Sequence, residues 1–436
     1  MRSLADRFVR WIADIAAFFW FRSVEVSARE RFPGRGPVLV VANHGGGFVD
    51  PALLTSVLPR MPRYLATASL WRYVVTRPFL ALAGVIPVHR AQDGATAGNV
   101  DTFAECHHVL RHGGVVAIFP EGRASDAPHL LPVKTGAARI VLGARAAGAR
   151  GIVIVPVGLM YEDKSSARSR AYVRIGPPLD LDAAIAAALP GTEVDERHRD
   201  AVEVITEEIA ARLSRAALDF TDAAQLDALE HAAEIALRAA GDRPPGLGAI
   251  QDLASRLATM PSATEVALSE QAYRAALEAQ AVTDEALASA PPRGVRRVHL
   301  VATVATLALL PFAAIGALVN LVPGVAVHLA GRPRMAPVTR ATSKFLAAIV
   351  LFPVTWVAWR YLAFEARPHP WWWTMLVGPV CGLAAWWVAD RVRRAWRARL
   401  DLRRLASTGP ALEELRRRRA AVIEEVTRAV GRVRPA

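Results

Sequence analysis

The stretch from Val38 to Pro51 constrains the fold more than any other part of the sequence. It reads VLVVANHGGGFVDP, in which five apolar residues, 38–42, are followed by Asn43, His44 and three glycines. A short apolar run closed by a turn is typical of a strand that is buried on both faces, as in a parallel sheet. The glycines let the backbone turn sharply there and let another molecule approach closely. The stretch therefore predicts a strand that carries one imidazole to the edge of a sheet.

Asp50 lies six residues after His44, and a turn of that length can bring the carboxylate back onto the ring. Such a pair forms an oriented general base, because the carboxylate holds one tautomer and favours the imidazolium. Two alternatives compete with this interpretation: an incidental histidine in a glycine-rich turn, and the oxyanion-hole HGGG sequence of lipases and esterases. The esterase alternative needs a downstream G-x-S-x-G turn for its nucleophile, and the sequence contains none.

The chain beyond Pro51 alternates between apolar runs and helical patterns. Runs that suit strands lie at 63–68, 84–90, 115–119, 152–159 and 171–175, and helical patterns lie at 50–58, 98–112 and 135–147. Strands that alternate with helices predict an α/β fold in which helices cover both faces of one sheet, an αβα arrangement. The strand ends would gather His44, Asp50, Arg90, Glu121 and Arg123. Open α/β sheets bind ligands at such ends.

Four short blocks occur in order along this region: NHGGGFVDP, GVIPVHR, FPEGRAS and IVPVG. Together they resemble the four ordered blocks of the glycerolipid acyltransferases, which include glycerol-3-phosphate acyltransferase and 1-acylglycerol-3-phosphate acyltransferase. The resemblance covers about residues 25–180. The longer stretches FPEGRASDAPHLLPVKTGAARI and VPVGLMYEDKSSARSRAYVRIGPPL are similar to the glycerol-3-phosphate acyltransferase branch in particular.

The resemblance implies a direct acyl transfer by a membrane-bound enzyme of phospholipid biosynthesis. In the implied reaction His44, oriented by Asp50, deprotonates a substrate hydroxyl, which then attacks acyl-CoA without a covalent enzyme intermediate. Arg90 matches the second-block position that holds the acceptor phosphate. A guanidinium suits that task, because its planar fork reads a phosphate bidentately. Acyl-CoA is the implied co-substrate, and no further cofactor is predicted.

The third block implies further acceptor contacts. Glu121, Gly122 and Arg123 match the residues that build the acceptor site in the family. Lys134 lies nearby and is either a second phosphate contact or an ordinary charge at the start of a helix. Pro156 matches the fourth block, on the acyl-donor side. No metal site is predicted, because the cluster of Cys106 with His107, His108 and His112 has no recognised ligand spacing.

Three departures from the family pattern concern the acceptor. Five residues separate His44 from Asp50, where the commonest family spacing is four. Three glycines follow His44, and Arg123 stands where Thr or Ser is frequent. The acceptor therefore stays open between glycerol-3-phosphate and its 1-acyl derivative, lysophosphatidate. Another lysolipid or a glycolipid alcohol is an alternative, and so is a non-catalytic membrane protein that binds lipid in the same cleft.

Residues 3–21 form an amphipathic pattern with a 3.6-residue period. One face carries apolar and aromatic side chains, namely Leu4, Phe8, Trp11, Ile12, Ile15 and Phe19, and Arg2, Asp6, Arg10 and Asp14 lie opposite. The pattern predicts a helix that packs on the next domain or lies in the membrane interface. A signal peptide is not indicated, because Asp14 interrupts the apolar run.

Composition points to a membrane rather than to nucleic acid. The 436 residues are 53% hydrophobic and carry a net charge of +13, almost all of it from arginine. We find no sequence signature of a nucleic-acid-binding module, so no nucleic acid partner is predicted. The positive charge instead fits anionic head groups or phosphorylated substrates. The two cysteines, Cys106 and Cys381, lie in segments of different kinds, which favours a reducing cytoplasm over a disulfide.

The C-terminal half contains long apolar segments. Residues 298–330 are interrupted at Asn320–Gly324, and 345–364 and 371–389 are two further segments of spanning length. Arginines flank these segments at 293–297, 332–340 and 391–399. A re-entrant hairpin at 298–330 followed by two spans puts every cluster on one side, as the positive-inside rule favours. The catalytic part is then expected on the cytoplasmic face of a bacterial inner membrane.

The predicted organisation follows from these changes in composition. It has an amphipathic helix at 1–24, an acyltransferase domain at 25–190, a helical insert at 191–292, a membrane region at 293–400 and a basic helical tail at 401–436. The partners expected are acyl-CoA, the phosphorylated acceptor and membrane lipids. The sequence leaves the oligomeric state open.

Overall fold

The structure is a computed structural model that describes residues 2–436 except 73–76, 90–98, 128, 219–221, 242–243, 289–295, 332–333, 365–371, 408, 410, 432 and 434–436. The chain divides into two compact units. The first unit is Met1–Thr221 with Arg334–Thr342, and the second is Asp222–Pro333 with Ser343–Ala436.

The first unit alternates strands and helices. Its strands are β1 (Phe21–Ser27), β2 (Val38–Ala42), β3 (Pro62–Thr67), β4 (Ile86–Val88), β5 (Val115–Ile118), β6 (Val153–Tyr161), β7 (Ser169–Ile175) and β8 (Leu179–Asp180). Its helices are α1 (Arg2–Trp20), α2 (Val49–Val57), α3 (Arg77–Leu82), α4 (Asn99–Arg111), α5 (Gly136–Ala146), α6 (Leu181–Ala188) and α7 (Arg199–Ala217). The predicted α/β sheet domain is confirmed.

The strands form one sheet in the order β1-β7-β6-β2-β5-β3-β4, with β8 paired to β6. Pairing is parallel except that β7 and β8 run antiparallel to β6. In register, Val41 of β2 lies opposite Ile118 of β5 and Pro156 of β6. The carboxyl ends of these three strands therefore meet at one edge of the sheet, where the first and third sequence blocks begin.

The central strand β2 is buried along its whole length. Its side chains alternate between the two faces of the sheet, and Leu39 and Val41 pack in one core with residues of α4, α5 and α7. Burying each such side chain contributes about 1.5–3 kcal/mol. Because Val202 and Ile205 of α7 belong to this core, the predicted domain boundary at residue 190 is wrong. The alanine-rich, charged composition of α7 had made it look like part of the insert.

Helix α1 packs on the rest of the first unit through one largely apolar face. Ala13, Ala17 and Trp20 are buried. Asp6 forms a salt bridge with Arg63 at 2.8 Å. The opposite face carries an exposed apolar row, which we call the α1 stripe: Leu4, Phe8, Trp11, Ile15 and Phe18. Of the side chains predicted to share one face, Ile12 and Phe19 are only partly exposed, whereas Phe18 completes the stripe.

The second unit is helical. It contains α8 (Ala223–Ala240), α9 (Leu247–Ala258), α10 (Ala263–Ala279), α11 (Asp284–Ala288), α12 (Arg296–Ala330), α14 (Trp372–Ser407), α15 (Ala411–Val430) and most of α13 (Pro337–Phe364). Helices α8, α9, α10 and α15 share a hydrophobic core, in which Val422 and Val426 of α15 are fully buried. The segment predicted as a separate basic tail is therefore part of the helical insert's core.

Helix α12 runs without a break through Asn320 to Gly324, so the predicted re-entrant hairpin is wrong. The Asn320 side chain does not end the helix but forms hydrogen bonds to neighbouring helices. Its amide nitrogen donates to the Gly316 and Gly378 carbonyls, and its oxygen accepts from Trp356 Nε1 at 2.8 Å. Such polar bonds between apolar helices are typical of membrane-protein packing.

Two helices in the described part of the chain are long and apolar enough to cross a membrane, over Thr303–Ala330 and Pro337–Tyr361. The third segment expected to span, 371–389, corresponds from residue 372 onward to the first half of α14, and residue 371 lies outside the described residues. This helix is not one of the two. The prediction of a helical C-terminal part with possible membrane spans is thus confirmed, but the predicted arrangement of a hairpin and two spans is not.

Candidate active site

His44 and Asp50 are in direct contact. His44 follows β2, and Asp50 lies in the first turn of α2, so the glycine-rich turn between them brings the two side chains together. His44 Nδ1 lies 2.7 Å from Asp50 Oδ2. The imidazole is 20% exposed, whereas the carboxylate is fully buried. With Nδ1 donating its proton to Asp50, Nε2 is the basic nitrogen of the ring.

Two further donors hold the Asp50 carboxylate. The backbone N–H of Gly46 donates to Oδ1 and Oδ2 at 3.0 and 2.9 Å. The phenol of Tyr161, at the end of β6, donates to Oδ1 at 2.5 Å. Both carboxylate oxygens therefore have partners, as a buried carboxylate requires. Sequence reasoning missed Tyr161, whose only signal is its position at the end of a strand beside β2.

The glycines after His44 have different structural roles. A Cβ on Gly46 would lie 2.4 Å from Asp50 Oδ1. Gly47 has a φ of +63°, and a Cβ there would lie 2.2 Å from Thr342 Oγ1. A Cβ on Gly45 would meet no atom within 4 Å. Gly46 and Gly47 are thus required by close approach and by the left-handed backbone, and Gly45 is not.

A row of aromatic rings fixes the plane of the imidazole. His44 stacks on Phe119 with 4.1 Å between ring centroids and 13° between ring planes. Tyr64 of β3 stacks on Phe119 at 6.4 Å and 11°. Phe119 follows β5 directly, and the parallel pairing of β5 with β2 and β3 therefore brings the three rings together.

Glu121 joins the two loops that form the site. This buried carboxylate accepts a hydrogen bond from the His44 backbone N–H at 2.8 Å and one from the Leu131 N–H at 3.1 Å. The Ser125 N–H in turn donates to the His44 carbonyl at 2.9 Å. Glu121 therefore holds His44 through the backbone. A contact between Glu121 and the acceptor stays a prediction.

Arg123 of the third block and the nearby Lys134 are two cations on this loop. Gly122 has a φ of +74°, and a Cβ there would lie 2.6 Å from Lys134 Nζ, so the lysine side chain passes over this glycine. Lys134 and Arg123 are both exposed. Arg90 lies outside the described residues. The structure thus brings Gly122 and Lys134 together and keeps Arg123 at the surface.

A cleft opens beside the imidazole. His44, Glu121, Ser125, His129 and Ala217 are among its lining residues. Ser125 and His129 lie in the third-block stretch, yet sequence reasoning gave neither a role. Ala217, at the end of α7, could not be placed here from the sequence because it lies 173 positions after His44.

Two side chains outside the blocks support the turn. The Asn43 amide exchanges two hydrogen bonds with the Leu159 backbone, at 3.0 and 2.7 Å, and so extends the β2–β6 pairing by one residue. The Phe48 N–H donates to Thr342 Oγ1 at 3.3 Å. Thr342 lies near the start of α13, in the part of that helix that belongs to the first unit.

A metal-binding group is not found among the residues that the structure describes: no three His, Cys, Asp or Glu side chains come close enough to hold an ion. The predicted site residues therefore offer base and cation chemistry. They comprise an imidazole oriented by a buried carboxylate, next to a loop that carries exposed positive charge.

Comparison with known proteins adds a family match. The family model described as Acyltransferase matches residues 23–160. Glycerol-3-phosphate O-acyltransferase 2 of Saccharomyces cerevisiae is 42% identical over 85 residues, which are 19% of this chain and 11% of that protein. Glycerol-3-phosphate O-acyltransferase 1 of the same yeast is 32% identical over 130 residues, which are 29% of this chain and 17% of that protein.

These matches span a limited part of each protein, because the chain covers less than one fifth of the length of either yeast relative. Among solved structures, the 1-acyl-sn-glycerophosphate (LPA) acyltransferase PlsC from Thermotoga maritima aligns with 48% of this chain and 82% of its own. Its identity is 18% and its TM-score 0.35, which is too low to add to the family match.

Proposed function

Because the chain belongs to the glycerolipid acyltransferase family, we propose that it moves a fatty acyl group from acyl-CoA to a hydroxyl of glycerol-3-phosphate or of 1-acylglycerol-3-phosphate. The observation that carries this proposal is the contact between His44 and the buried Asp50 at the edge of a cleft. A protein that only binds lipid has no need of an imidazole held in one tautomer. A base that activates a hydroxyl does need one.

The proposed step is a direct transfer in which His44 first takes and then returns a proton. Nε2 accepts the proton of the acceptor hydroxyl while that oxygen bonds to the thioester carbonyl carbon. The carbon–sulfur bond then breaks, and the leaving thiolate takes the proton from the imidazolium. Asp50 stabilises the positive charge that the ring carries between the two transfers. General-base help of this kind is typically worth about 10²–10⁴ in rate.

The acceptor phosphate is proposed to bind at two exposed cations, Arg123 of the third block and Lys134 near it. Arg123 and Lys134 lie on the loop that Glu121 ties to His44, so a phosphate bound there lies near the base. Arg90 is proposed as a third phosphate ligand because of its place in the second block. Acyl-CoA, which is itself phosphorylated, would also be attracted by the net charge of +13. Another lysolipid or a glycolipid alcohol is the second candidate acceptor.

We further propose that the protein works on the cytoplasmic face of a bacterial inner membrane. Two observations support membrane association: the exposed α1 stripe and the two apolar helices of spanning length. Helices with an aromatic, apolar face bind the interface between head groups and acyl chains. The two cysteines, Cys106 and Cys381, are both unpaired, which fits a reducing cytoplasm. There the soluble acyl-CoA and the membrane-bound product are both accessible.

The test is acyl transfer by the purified, detergent-solubilised full chain. Labelled palmitoyl-CoA is offered with glycerol-3-phosphate, with lysophosphatidate and with lysophosphatidylcholine. His44→Ala is expected to lose about 10²–10⁴ in rate, since it removes the base. His112→Ala, which removes an exposed histidine directly after α4, is the matched control and should keep wild-type turnover.

The acceptor that yields product decides the proposal. Product from glycerol-3-phosphate or lysophosphatidate supports it, and product from lysophosphatidylcholine alone moves the enzyme to the second candidate class. Equal turnover by His44→Ala and wild type would refute the role of the base. Lipid binding by a well-folded wild-type protein, without product from any acceptor, would support the non-catalytic alternative.

A further inference from the structure

Tyr161 contacts the general-base pair from strand β6. It is the last residue of β6, four residues beyond Val157, which lies opposite Ala42 of β2. Because side chains alternate along a strand, Val157, Leu159 and Tyr161 share one side of β6. The phenol therefore lies past the end of β2, where the chain has turned through His44 towards Asp50.

The ring of Tyr161 is held in place on two sides. Phe21 of β1 stacks on it with 5.9 Å between centroids and 13° between planes. On another side, the missing Cβ of Gly46 leaves room for the ring, since a Cβ there would lie 3.3 Å from Tyr161 Cε2. The triple glycine thus accommodates this tyrosine as well as the turn itself.

We infer that Tyr161 is a positioning residue that sets both the orientation and the strength of the His44–Asp50 base. This inference rests on the proposed function. With Oδ1 bound to the phenol and to Gly46, the carboxylate is held with Oδ2 towards His44 Nδ1. The phenol also draws negative charge towards Oδ1, and this weakens the attraction of Asp50 for the imidazolium.

The phenol keeps its proton throughout the working range of pH. Burial raises the pKa of Tyr161 well above its ordinary value, and the Asp50 charge and the hydrogen bond to Asp50 raise it further. It therefore always acts as a donor to the carboxylate. Removing that donor leaves more charge on Asp50, which stabilises the imidazolium, so the pKa of His44 should rise.

Four other groups that titrate or carry charge surround the imidazole. Asp50 bonds to the ring, and Glu121 bonds to the His44 backbone. Tyr64 lies behind Phe119, and His129 lines the same cleft. A pH profile of activity alone can therefore contain the titration of His129, so the imidazole of His44 must also be observed directly.

The experiment compares wild type with Tyr161→Phe, which keeps the ring and its stacking on Phe21 and removes only the hydroxyl. The acid limb of the pH profile of kcat/KM should shift to higher pH by about 0.5–1 unit, because Asp50 loses a charge-assisted hydrogen bond. The plateau should fall by about tenfold, because the base is held less firmly. Tyr172→Phe removes the hydroxyl of another buried tyrosine, which bonds Ser27, and should leave the profile unchanged.

A second measurement does not depend on turnover. The imidazole resonance of His44, assigned by its loss in His44→Ala, is titrated by NMR in wild type, in Tyr161→Phe and with 3-fluorotyrosine at position 161. The fluorinated phenol is a stronger donor and should lower the pKa of His44, whereas Tyr161→Phe should raise it. A purely structural role for Tyr161 predicts no such opposite shifts.

The outcomes separate the two proposals. Opposite shifts in the two variants support the positioning role even if no acceptor yields product, in which case only the proposed function fails. Unchanged His44 titration in both variants overturns the inference about Tyr161, whatever the wild-type enzyme turns over.

Discussion

Gly46→Ala is the substitution that most directly tests how the turn serves the base. A Cβ at this position would lie 2.4 Å from Asp50 Oδ1, whereas carbon and oxygen in close contact lie about 3.3 Å apart. The carboxylate must therefore shift by roughly 1 Å, and its 2.7 Å bond to His44 Nδ1 cannot survive such a shift unchanged.

The expected loss follows from that displacement. A misplacement of about 1 Å at a reacting group costs about 10²-fold in rate, which corresponds to about 2.7 kcal/mol of transition-state stabilisation. The loss of stability should be of similar size, about 1–3 kcal/mol, as for an overpacked side chain elsewhere. Gly46 lies outside the left-handed backbone region, so no backbone strain adds to this figure.

The assay measures kcat/KM for the acceptor that the wild type uses, together with thermal unfolding. Gly45→Ala is the matched control, because its Cβ meets no atom within 4 Å, and it should change kcat/KM by less than about threefold. A folded Gly46→Ala protein with wild-type kcat/KM would refute the reasoning. An equal loss in Gly45→Ala would also refute it, since the turn would then tolerate no side chain at all.

Two further predictions concern buried groups away from the site. Burial, together with the Glu105 charge, raises the pKa of Cys106 to about 12. The thiol therefore stays protonated at pH 8, and iodoacetamide should label it only after the protein is denatured. Mass spectrometry measures this labelling. Because the pKa of Cys106 is raised in the folded state, the stability that the buried thiol contributes is present below about pH 9 and is lost as the pH rises towards 12. If the native protein were labelled as fast as the denatured protein, the burial of Cys106 would be contradicted. Asn320→Ala should destabilise the second unit by about 1–2 kcal/mol, because Trp356 Nε1 and the Gly378 carbonyl lose their partner. Unfolding in detergent measures this, with Val322→Ala on the exposed side of the same helix as control; equal stability of Asn320→Ala and wild type would contradict it.

Local pattern was enough to place strand β2 and the contact between His44 and Asp50. An apolar run, a histidine and a carboxylate six positions later predicted β2 and the contact of His44 with Asp50, which the structure shows at 2.7 Å. The position of Glu121 at a strand end likewise predicted that it lies near His44, and its observed bonds go to backbone N–H groups. These predictions succeeded because the residues involved are close in sequence or end neighbouring parallel strands.

The wrong predictions for α12 and α7 share a physical cause. The structure that a segment adopts depends on the elements that it packs against, which its composition does not specify. Asn320 with Pro323 and Gly324 has the composition of a break, yet the Asn320 side chain bonds to neighbouring helices and α12 continues. Helix α7 has the composition of an exposed insert, yet its Val202 and Ile205 face the sheet. Composition cannot show which surface a helix will meet.

The sequence by itself determined the α/β class of the first unit, the four sequence blocks and the pair of groups that is proposed as the base. Those properties depend on local periodicity and on residues within one turn of each other. Only the tertiary structure decided that Tyr161 donates to Asp50 and that Thr342 approaches Gly47. These residues lie 111 and 295 positions from their partners, and strand pairing and helix packing bring them together, since no local pattern records such contacts.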